Sequence, residues 1–440
     1  MKTIHFEAGE QLPRFREQLL RFLSQYAYAA YFDSHSGVIP VTGVGYDVIA
    51  AAGNRNVFIG ETPCIDKLDA FVKLAAERGE WLFGHIGYDF KNEIENLTSA
   101  HTDRIEFPVA GFFVPEVMVI IKDSRVELSA TENPERIKEQ IFDWVITHEP
   151  QSGFSFPVPR MCRNQYLDAV RVAQKHIFQG DVYEINLCHE YYSEGVSINP
   201  VAVAQRLFDV SPNPFSAYYR CDASHLMCAS PERFVTRKGN LLLSQPIKGT
   251  APRSSDVQTD LTLKETLSHS SKEQSENVMI VDLVRNDLSR LAVRASVKVE
   301  ELFGVYTFPG AHQMISSVSC LVPEATSFCQ IIKALFPMGS MTGAPKIRSM
   351  EIIDQLEAAK RGLFSGAVGY ISPSGDFDFN VVIRSIQYNA ASHYLSVMAG
   401  GAITAASIPE NEYSETLVKL APQFKALGFE LETAVTESHG

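Results

Sequence analysis

Two pairs of glutamates have a spacing that suits a metal site. Glu273 and Glu276 lie three residues apart in a stretch of helical character, and Glu412 and Glu415 repeat this spacing later in the chain. Side chains three apart share one face of a helix, and two such faces together could hold Mg²⁺, a hard cation that prefers oxygen ligands. From the spacing alone, a solvated charged face remains the simpler explanation.

A lysine and a glutamate stand where strand patterns break. Lys248 lies in Pro-Ile-Lys-Gly-Thr, a stretch with little other charge. A desolvated lysine has a lowered pKa and becomes a usable nucleophile, although an exposed turn lysine is the alternative. Glu232 lies in Ser-Pro-Glu-Arg-Phe, where partial burial would raise its pKa and suit it to general acid catalysis. A surface ion pair with Arg233 explains Glu232 equally well.

Small residues and one arginine add further candidates. The glycine-rich segment 337–346 runs into a helical pattern, and backbone N–H groups at a helix start favour anions. It lacks the spacing of a P-loop. Gly400 and Gly401 form a second small segment where backbone can approach a ligand, although either segment could simply pack tightly. Arg384 can grip a carboxylate with two hydrogen bonds, but alternation along a strand gives it an even chance of facing inward.

The periodicity of the chain predicts the elements that carry these residues. Helical patterns occupy 11–25, 134–148, 163–178, 200–208, about 260–291, 344–359 and 409–420. Strand patterns occupy 27–32, 114–121, 226–229, 234–237, 241–244, 364–371, 377–388 and 394–399. We expect an α+β fold, a layered sandwich of antiparallel sheets with helices packed outside. The prolines in 153–160 divide the chain into an N-terminal α/β region, 1–152, and a catalytic region, 153–440.

Composition narrows the class of protein. The formal net charge of −13 argues against nucleic acid as a partner, and it requires local cations or a metal if the substrate is an anion. The seven cysteines form no CxxC pair, so we expect no disulfide framework. The start of the chain lacks a signal-peptide core, and the apolar stretch 107–121 is too short to span a bilayer. We expect a soluble cytoplasmic protein without a membrane partner.

Taken together and in order, the motifs resemble those of the chorismate-utilising enzymes. This family includes the anthranilate synthase large subunit, aminodeoxychorismate synthase component I and the isochorismate and salicylate synthases. The matching stretches lie within roughly residues 160–430 and are SPERF (230–234), PIKGTAPR (246–253), ENVMIVDLVRNDLSR (276–290), GSMTGAPKIRSMEIID (339–354), FSGAVGY (364–370), VIRS (382–385) and ENEYSETLVK (410–419).

The resemblance implies a reaction and its catalytic residues. Members that form aminodeoxychorismate carry lysine in the PIKGT motif, whereas anthranilate synthases usually carry alanine. Lys248 would therefore add to ring carbon C2 as the C4 hydroxyl leaves, and ammonia would then attack C4 and expel the lysine. Glu232 matches the family's general acid and would protonate the departing hydroxyl. The expected product is 4-amino-4-deoxychorismate, a precursor of 4-aminobenzoate and folate.

The resemblance also implies how the substrate is held. Glu276 and Glu415 would bind Mg²⁺, supported by Glu273 and Glu412, and the metal would bind the ring carboxylate of chorismate. Arg384 and Tyr370 would hold the pyruvyl carboxylate. The further substrate-binding candidates are Gly400, Gly401, Lys419, His312, Ser340 and Thr342.

Glu184 departs from the family pattern, and the sequence contains no glutaminase motif. Aminating members usually have glutamine where Glu184 stands, and isochorismate-forming members have lysine there to activate water. Our hypothesis is that Glu184 pairs with Lys248 and tunes its protonation. The chain lacks a GxCxG glutaminase signature, so we expect a separate glutamine amidotransferase subunit or free ammonia. The alternatives are anthranilate synthase component I and an inactive regulatory homologue.

Overall fold

The fold consists of two large antiparallel sheets with helices on their outer faces. The computed structural model describes residues 1–35, 37, 41, 45–146 and 153–431. The strands are β1 (Lys2–Glu7), β2 (Tyr28–Asp33), β3 (Val48–Gly53), β4 (Val57–Gly60), β5 (Leu82–Ile86), β6 (Ala110–Phe113), β7 (Val117–Lys122), β8 (Arg125–Ala130), β9 (Val158–Pro159), β10 (Glu184–Ser193), β11 (Phe215–Cys221), β12 (Ser224–Ser230), β13 (Arg233–Lys238), β14 (Leu241–Gln245), β15 (Ile247–Pro252), β16 (Lys298–Thr307), β17 (Ala311–Leu321), β18 (Gly343–Ala344), β19 (Ala367–Ile371), β20 (Phe377–Asn380), β21 (Ser385–Asn389) and β22 (Tyr394–Ile403).

The helices surround these strands. They are α1 (Leu12–Leu23), α2 (Ile65–Glu77), α3 (Lys91–Ile94), α4 (Pro134–Phe142), α5 (Arg163–Phe178), α6 (Pro200–Val210), α7 (Val257–Ser268), α8 (Ser271–Ser289), α9 (Phe328–Leu335), α10 (Lys346–Leu356) and α11 (Pro409–Ala426). Short 3-10 helices cover Gly9–Gln11, Tyr88–Phe90 and Gly339–Met341. Among the described helices, none combines the length and the apolar character needed to cross a membrane.

The two sheets have different strand orders. The first sheet runs β1-β8-β7-β3-β2-β11-β12-β21-β22-β10-β18, with β9 also pairing β10. The second runs β15-β17-β14-β13-β20-β19-β5-β6-β4, with β16 also pairing β17. Apolar residues of β2, β12, β5 and β19 form a core shared by the two sheets, while α1, α6 and α11 cover the first sheet and α8 and α9 the second. The predicted layered α+β sandwich is confirmed.

Strands from both sides of residue 152 lie in the same sheets. In the first sheet β2 pairs antiparallel with β11, and in the second sheet β5 pairs antiparallel with β19. The predicted regions 1–152 and 153–440 are therefore segments of sequence that share their cores, and Gly153 follows residues outside the described part of the chain.

Two predicted strand groups were wrong in a way that matters for function. We expected 226–229, 234–237 and 241–244 to form one meander, but β12 lies in the first sheet and β13 and β14 in the second. Likewise, 377–388 is not one strand of a hairpin, because β20 lies in the second sheet and β21 in the first. At both places the chain crosses between the sheets, and alternation of apolar residues carries no signal for such a crossing.

The predicted helix boundaries need smaller corrections. The expected helix 260–291 is two helices, α7 and α8, because the Ser270 side chain caps α8 by accepting a hydrogen bond from the Glu273 N–H. The expected helix 134–148 ends at Phe142 as α4, and residues 147 and 148 lie outside the described residues. The expected helix 409–420 is α11, which begins with Pro409 at a position where proline's missing N–H costs nothing.

Candidate active site

Both crossings between the sheets meet at one place. Glu232 lies between β12 and β13, and Arg384 lies between β20 and β21. The backbone N–H of Val381 donates to the carbonyl oxygen of Glu232 at 3.0 Å, and the N–H of Ala229 donates to that of Arg384 at 3.0 Å. The two crossing segments therefore lie side by side. Arg384 has φ 53, a left-handed conformation that costs energy for a non-glycine residue and is concentrated at functional sites.

Lys248 forms a buried ion pair across the two sheets. It lies on β15 of the second sheet, and its Nζ donates to Oε1 of Glu184, at the start of β10 in the first sheet, at 2.7 Å. Lys248 is 9% and Glu184 3% exposed. Burial acts to lower the pKa of Lys248, but the attraction of Glu184 outweighs it and the pKa is raised. The hypothesised contact between Glu184 and Lys248 is present, and it shifts the pKa of the lysine in the direction opposite to that expected from burial alone.

Glu232 has the properties of a general acid near neutral pH. It is 4% exposed, and burial raises its pKa from 4.5 to about 7, although the charge of Lys248 and a hydrogen bond from Ser340 act in the opposite direction. The Ser340 hydroxyl donates to Glu232 Oε1 at 2.8 Å. The carboxyl group therefore keeps its proton over much of the range in which enzymes work, and Ser340 fixes its orientation.

The four glutamates surround one region between α8 and α11. The ammonium of Lys272 lies within electrostatic range of all of them, and it is 3.8 Å from Glu276 Oε1. Burial, with the charges of Glu184 and Glu273 adding to it, raises the pKa of Glu276 to about 7, and burial also raises the pKa of Glu412. Carboxyl groups that resist ionisation in this way gain by binding a cation.

The glutamates offer the oxygen ligands that Mg²⁺ prefers, but they are not gathered around one point. Within the described ranges, no group of three or more His, Cys, Asp or Glu side chains is arranged so that it could hold a metal ion. Carboxylates from two helices that leave several coordination positions to water or substrate are typical of Mg²⁺ sites. Glu276 and Glu415 both lie within electrostatic range of Lys248, so this acidic region and the lysine belong to one site.

A cationic edge borders the acidic region. Arg384 is held by its Nη1, which donates to the carbonyl oxygen of Lys419 at 3.1 Å, and burial lowers its pKa to about 10 despite attraction from Glu415. No described carboxylate forms a salt bridge with Arg384, so an incoming carboxylate can take that position. The Lys419 ammonium donates to the Gly400 carbonyl oxygen at 2.9 Å and pairs with Glu415 at 2.7 Å.

The two glycines of β22 provide bare backbone at this edge. A Cβ at Gly400 would lie 2.4 Å from the sulfur of Cys188, and one at Gly401 would lie 3.1 Å from Glu412 Oε2. Side chains at these positions would crowd β10 and the acidic helix α11. Close packing therefore requires glycine at position 400, as one of the two sequence interpretations proposed, whereas Gly401 leaves open the space beside the Glu412 side chain.

The structure does not bring all predicted residues together. Tyr370 packs against Tyr46, Trp81 and Phe83, and its hydroxyl is hydrogen-bonded to Tyr46. Its described contacts include none of the site residues above, because β19 continues away from the crossing that carries Arg384. That Tyr370 holds a substrate carboxylate with Arg384 stays a prediction.

Two other predicted residues are engaged with their neighbours. His312 is buried, with Nε2 3.1 Å from Asp260 Oδ1 and Nδ1 3.0 Å from the Thr307 hydroxyl. The Thr342 hydroxyl donates to the carbonyl oxygen of Met338 at 3.1 Å. Both ring nitrogens of His312 and the proton of the Thr342 hydroxyl already have partners, so a role of these two side chains in substrate binding stays a prediction.

Sequence reasoning missed two contributors. Lys272 lies four residues before Glu276, and this spacing on a helix was the available signal. Arg361 is buried in a fork against Glu357 at 2.6 Å, and it donates to the carbonyl oxygens of Met341 and Asn186 at 2.7 and 2.9 Å. It thereby ties the glycine-rich segment to β10, an arrangement for which the sequence holds no local signal.

Comparison with known proteins places the chain in a family with this architecture. Residues 27–425 match the family model of chorismate binding enzymes, and the chain belongs to that family. The predicted resemblance is thereby confirmed.

Individual relatives share the match over most of their length. Aminodeoxychorismate synthase component 1 of Escherichia coli (strain K12) is 35% identical over 347 residues, 78% of this chain and 76% of that protein. The protein of the same name from Bacillus subtilis (strain 168) is 30% identical over 361 residues, 78% and 76% of the two chains. Among solved structures, anthranilate synthase component I from Streptococcus pneumoniae TIGR4 has a TM-score of 0.71 and 25% identity, covering 90% of this chain and 92% of that one.

Proposed function

We propose that this chain aminates chorismate at ring carbon C4 to give 4-amino-4-deoxychorismate. The observation that carries the proposal is the buried amine of Lys248, which lies in one site with Glu232 and the four glutamates. A nucleophile, an acid and an acidic cation-binding region are the groups that a double displacement on an anionic cyclohexadiene requires. The names of the relatives from Escherichia coli and Bacillus subtilis support the same activity.

The residues divide the reaction between them. Lys248 adds to C2 while Glu232 protonates the hydroxyl that leaves C4, since hydroxide itself is a poor leaving group. Ammonia then bonds to C4 and the lysine is expelled from C2. Arg384 holds the pyruvyl carboxylate, which keeps the pyruvyl ether in place through both displacements.

Magnesium is part of the proposal. Glu276 and Glu415 would hold Mg²⁺, with Glu273 and Glu412 in support, and the bound cation would neutralise charge and orient the ring carboxylate of chorismate. The cation would offset the electrostatic repulsion between a chain with a net charge of −13 and a dianionic substrate.

The nitrogen source and the setting of the reaction complete the proposal. We infer that a glutamine amidotransferase subunit supplies the ammonia, consistent with relatives whose names describe a component 1. All seven cysteines are free thiols, which supports a cytoplasmic enzyme of folate biosynthesis.

The test is product analysis with chorismate, Mg²⁺ and ammonium. The unaltered chain should give a product that a separate aminodeoxychorismate lyase converts to 4-aminobenzoate, and Lys248→Ala should reduce the rate by about 10³-fold or more. Lys264→Ala, on α7, is the matched control and should retain the rate. If the direct product were fluorescent anthranilate, the proposed amination at C4 would be wrong and the enzyme would aminate chorismate at C2. Full turnover by Lys248→Ala would remove the nucleophile assignment.

A further inference from the structure

The two carboxylate oxygens of Glu184 differ in their hydrogen bonding. Its Oε1 accepts the hydrogen bond from Lys248 at 2.7 Å, whereas its Oε2 is buried without a hydrogen-bond partner among the described residues. A buried carboxylate with only one donor retains its charge at a cost in desolvation free energy. The lysine faces the same cost, so transfer of one proton from the ammonium to Glu184 leaves both groups neutral.

Other carboxylates are less suited to accept this proton. Glu232 is engaged by Ser340 and is required as the acid for the leaving hydroxyl. Glu276 and Glu415 interact with Lys248 through space, but no hydrogen bond joins either of them to its ammonium in the described part of the chain. Among the described carboxylates, only that of Glu184 is hydrogen-bonded to the Lys248 ammonium, so it can accept the proton directly.

We propose that Glu184 is the proton acceptor that turns Lys248 into a nucleophile and returns the proton when the lysine is released. This inference deepens the proposed function and rests on it. In the first displacement the ammonium gives one proton to Glu184, the nitrogen lone pair bonds to C2, both ring double bonds shift, and the C4–O bond breaks as Glu232 gives the leaving oxygen its proton, forming water.

In the second displacement ammonia bonds to C4, the double bonds return, and the C2–N bond breaks with its electrons going to the lysine. Lys248 leaves as a neutral amine and recovers its proton from Glu184. The product carries the new nitrogen as an ammonium group. Glu232, left ionised by the first displacement, regains a proton from solvent, so atoms and charge balance over the turnover. Glu184 is thus assigned a catalytic role with Lys248, and the pair returns to its starting state after each turnover.

The experiment isolates the first displacement by leaving ammonia out. Wild type, Glu184→Gln and Glu184→Asp are each mixed with chorismate and Mg²⁺, and the reactions are quenched and digested. Mass spectrometry then measures how much of the peptide containing Lys248 has gained the mass of chorismate less one water. Glutamine keeps the shape and the acceptor oxygen but cannot take a proton, so adduct formation should slow by about 10²- to 10⁴-fold. Glu190→Gln, a buried ion-paired glutamate on the same strand, is the matched control and should form adduct at the wild-type rate.

The pH profile separates proton transfer from a merely structural role. The titratable groups that face Lys248 are the carboxyls of Glu184, Glu232, Glu276 and Glu415. Above about pH 7 the loss of the Glu232 proton slows all three proteins alike, so the informative quantity is the rate of each variant divided by that of the wild type. Without its acceptor, Lys248 must lose its proton to solvent, so this ratio for Glu184→Gln should rise about tenfold per pH unit from about pH 8 to 10. The ratio for the slower Glu184→Asp should be nearly flat over this interval.

The outcomes distinguish this inference from the proposed function. Adduct in the wild type, together with slow adduct in Glu184→Gln whose rate relative to the wild type rises steeply with pH, supports both. Adduct in Glu184→Gln at the wild-type rate at every pH overturns the role of Glu184 and leaves the nucleophile intact. Amination of chorismate by Lys248→Ala at the wild-type rate overturns the proposed function and the inference together.

Discussion

The buried acid Glu232 should make the native state less stable as the pH rises. Burial raises its pKa from 4.5 to about 7. A pKa difference of one unit corresponds to about 1.4 kcal/mol, so ionising this carboxyl costs about 3 kcal/mol of folding free energy. Glu232→Gln keeps an acceptor for the Ser340 hydroxyl and cannot ionise, and the variant should therefore escape this cost.

The direction follows from proton binding. Between pH 4.5 and about 7 the folded chain holds more proton at Glu232 than the unfolded chain does. The contribution of this group to stability is therefore full below the lower value and is lost as the pH rises through the upper one. Urea unfolding of both proteins at a series of pH values, without chorismate or Mg²⁺, should show Glu232→Gln gaining about 3 kcal/mol on the wild type across this window.

A constant difference between the two proteins over the whole range would refute the reasoning, because it would mean that Glu232 titrates alike in both states. Glu276, whose pKa is also raised to about 7, titrates in both proteins and cancels in the difference. Glu194→Gln, at a largely exposed carboxylate, is the matched control and should change the pH dependence little.

Two further predictions concern ligands. Arg384→Gln removes a buried guanidinium that no described carboxylate pairs with, so chorismate should bind about tenfold to a hundredfold more weakly in equilibrium titration, and unchanged affinity would contradict the assignment. Lys272→Gln removes the ammonium that lies among the four glutamates, so Mg²⁺ alone should bind about threefold to tenfold more tightly by calorimetry. Lys264→Gln, on α7, should leave the Mg²⁺ titration as it is, and equal curves for all three proteins would show that Lys272 does not compete with the metal.

Local patterns in the sequence were enough to predict part of the site. The glutamate pairs were predictable because helical spacing fixes which side chains share a face, and the structure has both pairs facing one region. The burial of Glu232 and its raised pKa match one of the two interpretations that its position at a strand break left open. The layered arrangement followed from alternating strand patterns interrupted by long helices.

Other features depend on contacts that no local pattern encodes. The crossings at Glu232 and Arg384 were missed because alternation shows that a residue is in a strand, not to which sheet the strand belongs. Burial alone gives the wrong direction for the pKa shift of Lys248, because the charge of Glu184 acts against burial. The sequence could not show this, since Glu184 lies in the other sheet. Tyr370 was placed by its motif, although its strand carries it away from the crossing.

The pairing of β2 with β11 and of β5 with β19 also governs how the chain can acquire its shape. Tyr31 pairs with Tyr218, and Gly84 pairs with Gly369. Because the partners are far apart in sequence, these strand pairs can form only after much of the chain has been synthesised. Until then the apolar edges of β2 and β5 are open templates on which unfinished or truncated chains associate. A fragment that stops short of β11 should therefore collect in inclusion bodies, whereas the whole chain should refold slowly but stay in solution.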